Sequence, residues 1–571
     1  MLVADLIVKC LYEAGITDVF AYPGGMIMHL YNAFWKYGGI NIHSTYHEQS
    51  AAFAAEGYSR TSNNFGVALA TSGPGATNLI TGIGNAYFDS IPCVYITGQV
   101  NTYESNVNGN SRQIGFQETD IVSIVKPITK YCVKVTRKED VIYELKKAIN
   151  IAKNGRKGPV LLDIPMNIQR EHLDEEVGEV PFEHITSDCD NIHEVIMMIK
   201  NSKRPVILAG GGIRLSGAVS EFREFVSTVN IPVVHSMMGK DALCDCERLN
   251  YGLIGAYGRR HGNFILANSD LIISLGSRLD SRQTGKLDSF AREAKLIRVD
   301  IDLGELKRNI KQDELKINSD VKKYLKRIRE YDSELQNLSI ENWLLYCENI
   351  AERLPNDCEL NCANKLVKGI SSILPNDAII TTDVGQNQIW VSQSFEVKEG
   401  QRVIVSGGMG AMGFSVPAAI GSTFAKDTAV FAFCGDGGFQ MNIQELQFVF
   451  KEQLNLKIIL MNNYSLGMIR HFQELYFNSE FIGTTKSGKY SVPDFKKLVE
   501  AYDISYASIR KVDEIDNIKS FLLSPGPGVL EIILDNETYA LPKLSMGHPI
   551  EDQEPLLERN ELKEKMLISV Y

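Results

Sequence analysis

Short apolar runs punctuate this chain from end to end, and they are continuous rather than alternating. Residues 67–71, 93–97, 160–164, 206–209, 271–275, 297–301, 378–382, 430–434, 457–461 and 529–533 are of this kind. A strand with one wet face alternates polar and apolar residues. A strand apolar on both faces is covered on both, as in a parallel sheet sandwiched between helices. Helix-length amphipathic stretches separate the runs. The expected fold class is therefore α/β, built of doubly wound, mainly parallel sheets. At 571 residues the chain is too long for one core. Two polar, charge-rich stretches, 170–191 and 324–362, divide it. They predict domains at 1–170, 190–340 and 360–545, with a charged tail at 546–571. The first and third are alike in size and alternation.

Composition excludes several classes. A formal charge of -11 without a Lys/Arg cluster argues against a nucleic-acid partner. The ten cysteines include no CxxC pair, so reduced core thiols are expected rather than a disulfide framework or a zinc site. No stretch approaches the roughly 18 apolar residues of a membrane span. No basic segment followed by an apolar one opens the chain, and the cytoplasm is the expected compartment.

The strongest chemical signal lies in the third domain. The strand 429–434 runs into Gly435-Asp436-Gly437-Gly438, and the next strand, 457–461, delivers Asn462-Asn463. Both motifs stand at strand C-terminal ends, where open α/β sheets bind ligands. The glycines let backbone N–H groups approach a diphosphate. One Asp and one Asn carbonyl suit Mg²⁺, a hard cation that takes oxygen ligands and shares phosphate oxygens. Gly-Asp-Gly alone is usually a turn. With the 24 residues between Gly437 and Asn462, enough for one helix and one strand, it resembles the binding signature of thiamine-diphosphate (ThDP) enzymes. In the first domain His47-Glu48-Gln49 opens a small-residue helix at 50–60. Tyr22-Pro23-Gly24-Gly25 lies upstream of it, and Thr71-Ser72-Gly73-Pro74-Gly75-Ala76-Thr77-Asn78 downstream.

With these motifs the chain resembles, over nearly its whole length, the acetolactate synthase and pyruvate oxidase family. The resemblance implies that Glu48 meets a pyrimidine nitrogen of ThDP and makes the exocyclic amine a base for the thiazolium carbon. Pro23, Gly25, Gly73 and Asn78 fall on positions around that ring. Gly385-Gln386-Asn387 matches a loop beside the diphosphate. In Gly407-Gly408-Met409-Gly410-Ala411-Met412-Gly413 the Gly410 carbonyl is expected to accept from the amine, and Met412 to wedge between the rings. Asp436, Asn463 and the Ser465 carbonyl form the implied Mg²⁺ shell, with Gly435, Gly437, Gly438, Leu466, Gly467 and Met468 beside it. Phe116-Gln117-Glu118 matches a motif whose Phe and Gln lie over the thiazolium.

The middle domain resembles the FAD domain of these synthases, either still loaded or with the fold kept and the flavin lost. The ordinary GxGxxG fingerprint is absent after strand 206–209, where Gly210-Gly211-Gly212 stands. Arg156, Gly211, Gly212, Ser236, Met237, Gly276, Arg278, Asp280, Asp300, Ile301, Asp320 and Val321 fall on flavin-contacting positions. Arg282 falls on the position of an arginine that meets the acceptor's carboxylate.

Some residues depart from the family. The stretch 101–115 is longer than the usual loop and brings in Arg112, Met166 replaces a lysine, Ser281 an aspartate, and Phe472 a tryptophan that shapes the acceptor pocket. Two readings follow. One is a carboligase that decarboxylates pyruvate or a similar 2-keto acid and passes the two-carbon unit to a second 2-keto acid, as in branched-chain amino acid biosynthesis. The other is transfer to a different carbonyl acceptor, such as a keto-sugar nucleotide, or a decarboxylase or oxidase. In this family Glu48's domain and Asp436's domain come from different subunits, which implies a homodimer or a homotetramer of two such dimers. The tail is expected either to cover the active site as a lid or to be a solvated helix.

Overall fold

The computed structural model describes residues 1–106, 109, 111–173 and 191–570. Most of the first expected divider, and positions 107, 108 and 110 of the 101–115 loop, lie outside the described residues. Three six-stranded parallel sheets follow one another along the chain. The first contains β1 (Asp18–Ala21), β2 (Asn41–Ser44), β3 (Gly66–Ala70), β4 (Cys93–Gln99), β5 (Tyr131–Lys134) and β6 (Val160–Pro165). The second contains β7 (Pro205–Ala209), β8 (Val233–His235), β9 (Asn250–Leu253), β10 (Leu271–Leu275), β11 (Lys295–Asp300) and β12 (Glu314–Asn318). The third contains β13 (Ile379–Thr382), β14 (Arg402–Val405), β15 (Val430–Gly435), β16 (Leu456–Asn462), β17 (Ser505–Ile509) and β18 (Gly528–Ile533).

Each apolar run read from the sequence lies on a strand. β3, β4, β6, β7 and β10 are buried at every position, which is why their sequences do not alternate. The orders are β2-β1-β3-β4-β6-β5, β12-β11-β10-β7-β8-β9 and β14-β13-β15-β16-β18-β17. The first and third are the same topology, so the similarity suggested by their alternation is a similarity of fold. The central sheet, read from its other edge, has the order of dinucleotide-binding folds, with its switch point between β7 and β10.

The first and third domains meet through two helices, α1 (Glu48–Ser62) and α2 (Ser415–Ala425). They cross backbone to backbone. A Cβ added at Gly57 would lie 2.0 Å from the Ala418 carbonyl oxygen, and one at Gly421 would lie 1.8 Å from that of Ala54.

Three features differ from the sequence reading. The second polar stretch is largely helical, and its Tyr324, Leu325, Trp343 and Cys347 join the central hydrophobic core. The tail joins the same core through Ile550, Leu557, Leu562 and Ile568. Arg260 donates to the Gln553 and Pro555 carbonyls, and Asn263 to that of Ile550, which straps the tail to the central domain. The expectation of reduced thiols throughout fails at Cys244 and Cys246. These are joined by a disulfide across a single residue, with Cα atoms 5.2 Å apart. Cys10, Cys93, Cys347 and Cys434 are buried thiols. Among the described residues no helix is long and apolar enough to cross a membrane.

Candidate active site

The third domain brings the Gly-Asp-Gly and Asn-Asn motifs together at one sheet edge, because β15 and β16 pair in parallel with Gly435 opposite Met461. Asp436 begins α3 (Asp436–Met441) and is 2% exposed. Its carboxylate accepts from the Gly437 N–H at 2.8 Å and the Ser465 N–H at 3.1 Å. Burial still pushes this carboxyl up to about 6, an imbalance that a bound cation would offset. Asn463 donates its amide N–H to Gln386 at 2.9 Å, which leaves its carbonyl oxygen as the available ligand atom. Among the described residues no cluster of three His, Cys, Asp or Glu side chains exists. A cation beside Asp436 would therefore complete its shell with amide, main-chain or phosphate oxygens.

The pocket fits a diphosphate. Gln386 Nε2 and Asn387 Oδ1 are buried without a hydrogen-bond partner, and the Tyr490 hydroxyl stands beside the Asp436 carboxylate. Native interiors rarely leave such groups unpaired, and a phosphate with its metal would satisfy them. A Cβ at Gly437 would lie 2.8 Å from Leu466 and 3.1 Å from the tip of Met412, so the cradle exists only with glycine there. At Gly467 a Cβ would fall 1.9 Å from Gln386 Oε1. Gly385 and Gly410 have positive φ, at 123° and 69°.

The sequence reading missed two residues here. Asp383, buried at the end of β13, accepts from the Gly413 and Ser415 N–H groups at 3.0 and 3.2 Å and so fixes the segment carrying Met412. Its signal was available, since it follows its strand just as Asp436 follows β15. Tyr490 lies in a loop without any motif.

In the first domain Glu48 is the first residue of α1, with His47 capping through Nδ1 to the Gln49 N–H at 3.1 Å. The Glu48 carboxylate is 7% exposed and accepts from Asn78 Nδ2 at 2.9 Å. A Cβ at Gly75 would lie 3.0 Å from Glu48 Oε1, and one at Gly24 would lie 2.5 Å from Thr71 Cβ. The two glycine-bearing stretches therefore pack on each other, and the second also meets the Glu48 carboxylate. Gln117 sits at φ 66°, a strained conformation for a non-glycine residue. A Cβ at Gly73 would press on its backbone. Phe116 is 78% exposed, an unusual place for that ring. Pro23 and Gly25 are exposed.

The structure does not bring Glu48 and Asp436 into contact. The Glu48 carboxylate bonds within the first domain and the Asp436 carboxylate within the third. Among the departures, Arg112 is exposed and Met166 is half-buried at the end of β6. Phe472 is 39% exposed and packs on Tyr476 and Phe477.

A separate cleft opens at the central switch point. Every residue named above as a flavin contact lines it, and so does Arg282. Gly212 and Gly276 nearly touch, since a Cβ on Gly212 would lie 2.7 Å from Gly276 Cα. Arg156 reaches the cleft from the first domain and pairs with Asp302 at 2.7 Å and Glu305 at 2.9 Å. Asp280 caps Arg282 N–H at 2.9 Å, Asp300 accepts from Asp302 N–H at 2.9 Å, and Asp320 caps the helix Val321–Ile328.

Two carboxylates, a glycine cradle with unpaired polar atoms and a pair of sheets of identical order define a thiamine-diphosphate type of site. Comparison with known proteins agrees. Residues 1–124 match the thiamine pyrophosphate enzyme N-terminal TPP binding domain, 192–328 the central domain and 383–532 the C-terminal TPP binding domain. The acetolactate synthase large subunit of Lactococcus lactis is 35% identical, over 95% of this chain and 94% of its own. The isozyme 2 large subunit of Escherichia coli is also 35% identical, over 95% and 97%. A probable acetolactate synthase large subunit of Methanocaldococcus jannaschii is 36% identical, over 95% and 93%. The chain belongs to the thiamine pyrophosphate enzyme family, in its acetolactate synthase branch.

Proposed function

We propose that this enzyme decarboxylates pyruvate or a similar 2-keto acid and joins the two-carbon unit to a second 2-keto acid. The observation that carries this is the diphosphate cradle, whose buried Gln386 Nε2 and Asn387 Oδ1 have no partner within the protein. It complements a carboxylate, Glu48, already held by Asn78. When bound, ThDP supplies a thiazolium ring that takes up the electron pair released as CO₂ departs. Asp436, Asn463 and the Ser465 carbonyl hold Mg²⁺ against the diphosphate. Met412 would support the bound ThDP rings, and the Gly410 carbonyl would accept from the pyrimidine amine. Glu48 holds a proton at the pyrimidine nitrogen. Phe116 and Gln117 cover the reacting carbon and keep water from it. Arg282 meets the acceptor's carboxylate. The acetolactate synthase relatives favour a 2-keto acid acceptor over a keto-sugar nucleotide.

We infer that the central cleft takes FAD. The strand order, the close Gly212–Gly276 approach and Arg156 support this. The working unit in this reading is at least a homodimer, since a second copy is needed to set a Glu48 against a diphosphate cradle. The test is incubation with pyruvate, ThDP, Mg²⁺ and FAD. One acetolactate per CO₂ is expected, and CO₂ release without acetolactate contradicts the reading.

A further inference from the structure

The corner between α3 and α4 (Glu445–Lys451) grips both halves of the catalytic machinery that one chain carries. Glu445 is fully buried, and both its carboxylate oxygens accept from the Tyr46 N–H, at 3.0 and 3.2 Å. Among the described residues it has no ion-pair partner. Asn442, 3% exposed, donates to the Gly413 carbonyl at 2.8 Å and to Gln49 Oε1 at 3.3 Å. Its own oxygen accepts from Ser50 Oγ at 3.1 Å. Tyr46, Gln49 and Ser50 surround Glu48 in the chain, and Gly413 follows Met412. Gly413 sits at φ 83°, and a Cβ there would lie 2.7 Å from Asn442 Nδ2, so the two residues are fitted to each other.

A buried carboxylate with no cation beside it is a costly way to hold a turn, and burial pushes this one up to about 7 although Ser50, Gln444 and the backbone of Tyr46 and His47 all bond to it. Packing alone does not call for a carboxylate there. We propose that Glu445 and Asn442 are positioning residues: Glu445 fixes the turn that presents the Glu48 carboxylate, and Asn442 locks that turn in register with the Met412 segment. This rests on the ThDP reading for Glu48 and Met412. Neither residue is among those assigned above to the cofactor. They act through Tyr46, Ser50 and Gly413, which explains how residues about 400 positions apart in the sequence hold a common register.

The first test needs no cofactor. In the full-length apoprotein, hydrogen–deuterium exchange of the peptide covering 46–50 should rise at least tenfold in Glu445→Ala. In Glu445→Gln, which keeps an acceptor oxygen, it should stay near wild type. Asn442→Ala should raise exchange in both 46–50 and 410–415. Unchanged exchange at 46–50 in Glu445→Ala overturns the proposal. The second test uses ThDP and Mg²⁺. NMR exchange of the thiazolium C2 proton should slow at least tenfold in Glu445→Ala, with ThDP affinity within threefold of wild type and recovery in Glu445→Gln. If both variants fall together with their melting temperatures, the role is structural only and the proposal fails. If the wild type itself binds no ThDP, the ThDP reading fails, and the apoprotein result still decides the positioning claim.

Discussion

Gly421→Ala should destabilise the protein although alanine is the better helix former. The added Cβ would sit 1.8 Å from the Ala54 carbonyl oxygen and 2.6 Å from its carbon, both backbone atoms of α1. A carbon–oxygen contact needs about 3.3 Å, so α1 and α2 must part by roughly 1.5 Å. Overpacking costs about 1–3 kcal/mol when side chains can rearrange. Here none can, which places the cost near about 3 kcal/mol. In an open helix the same change stabilises by about 1 kcal/mol, so even the sign is informative. At roughly 2–4 °C per kcal/mol for a domain of this size, the melting temperature should fall by roughly 6–12 °C. Scanning calorimetry on the apoprotein measures it. Gly369→Ala is the control, since its methyl meets only the Cδ1 tip of Ile515. Because α1 begins at Glu48, the ThDP complex should weaken as well. A melting temperature unchanged or raised in Gly421→Ala would refute the close backbone crossing.

Asp163 accepts from Thr97 and Gln99 at 2.8 and 2.9 Å, and burial pushes its carboxyl up to about 7. With the folded pKa above the unfolded one, the native state binds the extra proton between about pH 4 and 7, and stability falls as pH rises through that window. The full swing is about 4 kcal/mol, and Asp163→Asn should remove it, so its melting temperature relative to wild type should climb from pH 5 to pH 8. A pH-independent difference would count against this. Gly437→Ala fills the diphosphate cradle, so ThDP affinity by calorimetric titration should drop at least tenfold while the apoprotein melting temperature stays within about 2 °C, a shift worth under about 1 kcal/mol. Gln117→Gly relieves a positive φ and should stabilise by about 1 kcal/mol, yet lower kcat/KM for carboligation. Equal activity would remove Gln117 from the site.

The buried strands were legible because they are apolar on both faces, whatever the surrounding fold. The edge strands were harder: β2 reads Asn-Ile-His-Ser and is only partly covered. The diphosphate motif was legible because backbone approach demands glycine at fixed offsets from Asp436. Tyr490, Asn442 and Glu445 carry no such local pattern. Asn442 and Glu445 act through residues 46–50, which only the packing of the first domain on the third brings close, and Tyr490 through a loop that folds back on Asp436. The tail misled for a related reason. Its charged residues dominate the sequence, while Ile550, Leu557, Leu562 and Ile568 meet the central core only once the chain has folded back. The Cys244–Cys246 bond depends on a local turn that spacing does not reveal.

The central claim is that one chain carries two half-sites, Glu48 on one and Asp436 on the other, which complete each other between copies. Glu48→Gln and Asp436→Ala should each abolish acetolactate formation from pyruvate. Co-expressed with different tags and isolated as the mixed dimer, the two variants should recover roughly half of the wild-type activity, since one of the two sites in the mixed dimer is intact. A mixed dimer as inactive as either parent would contradict the account.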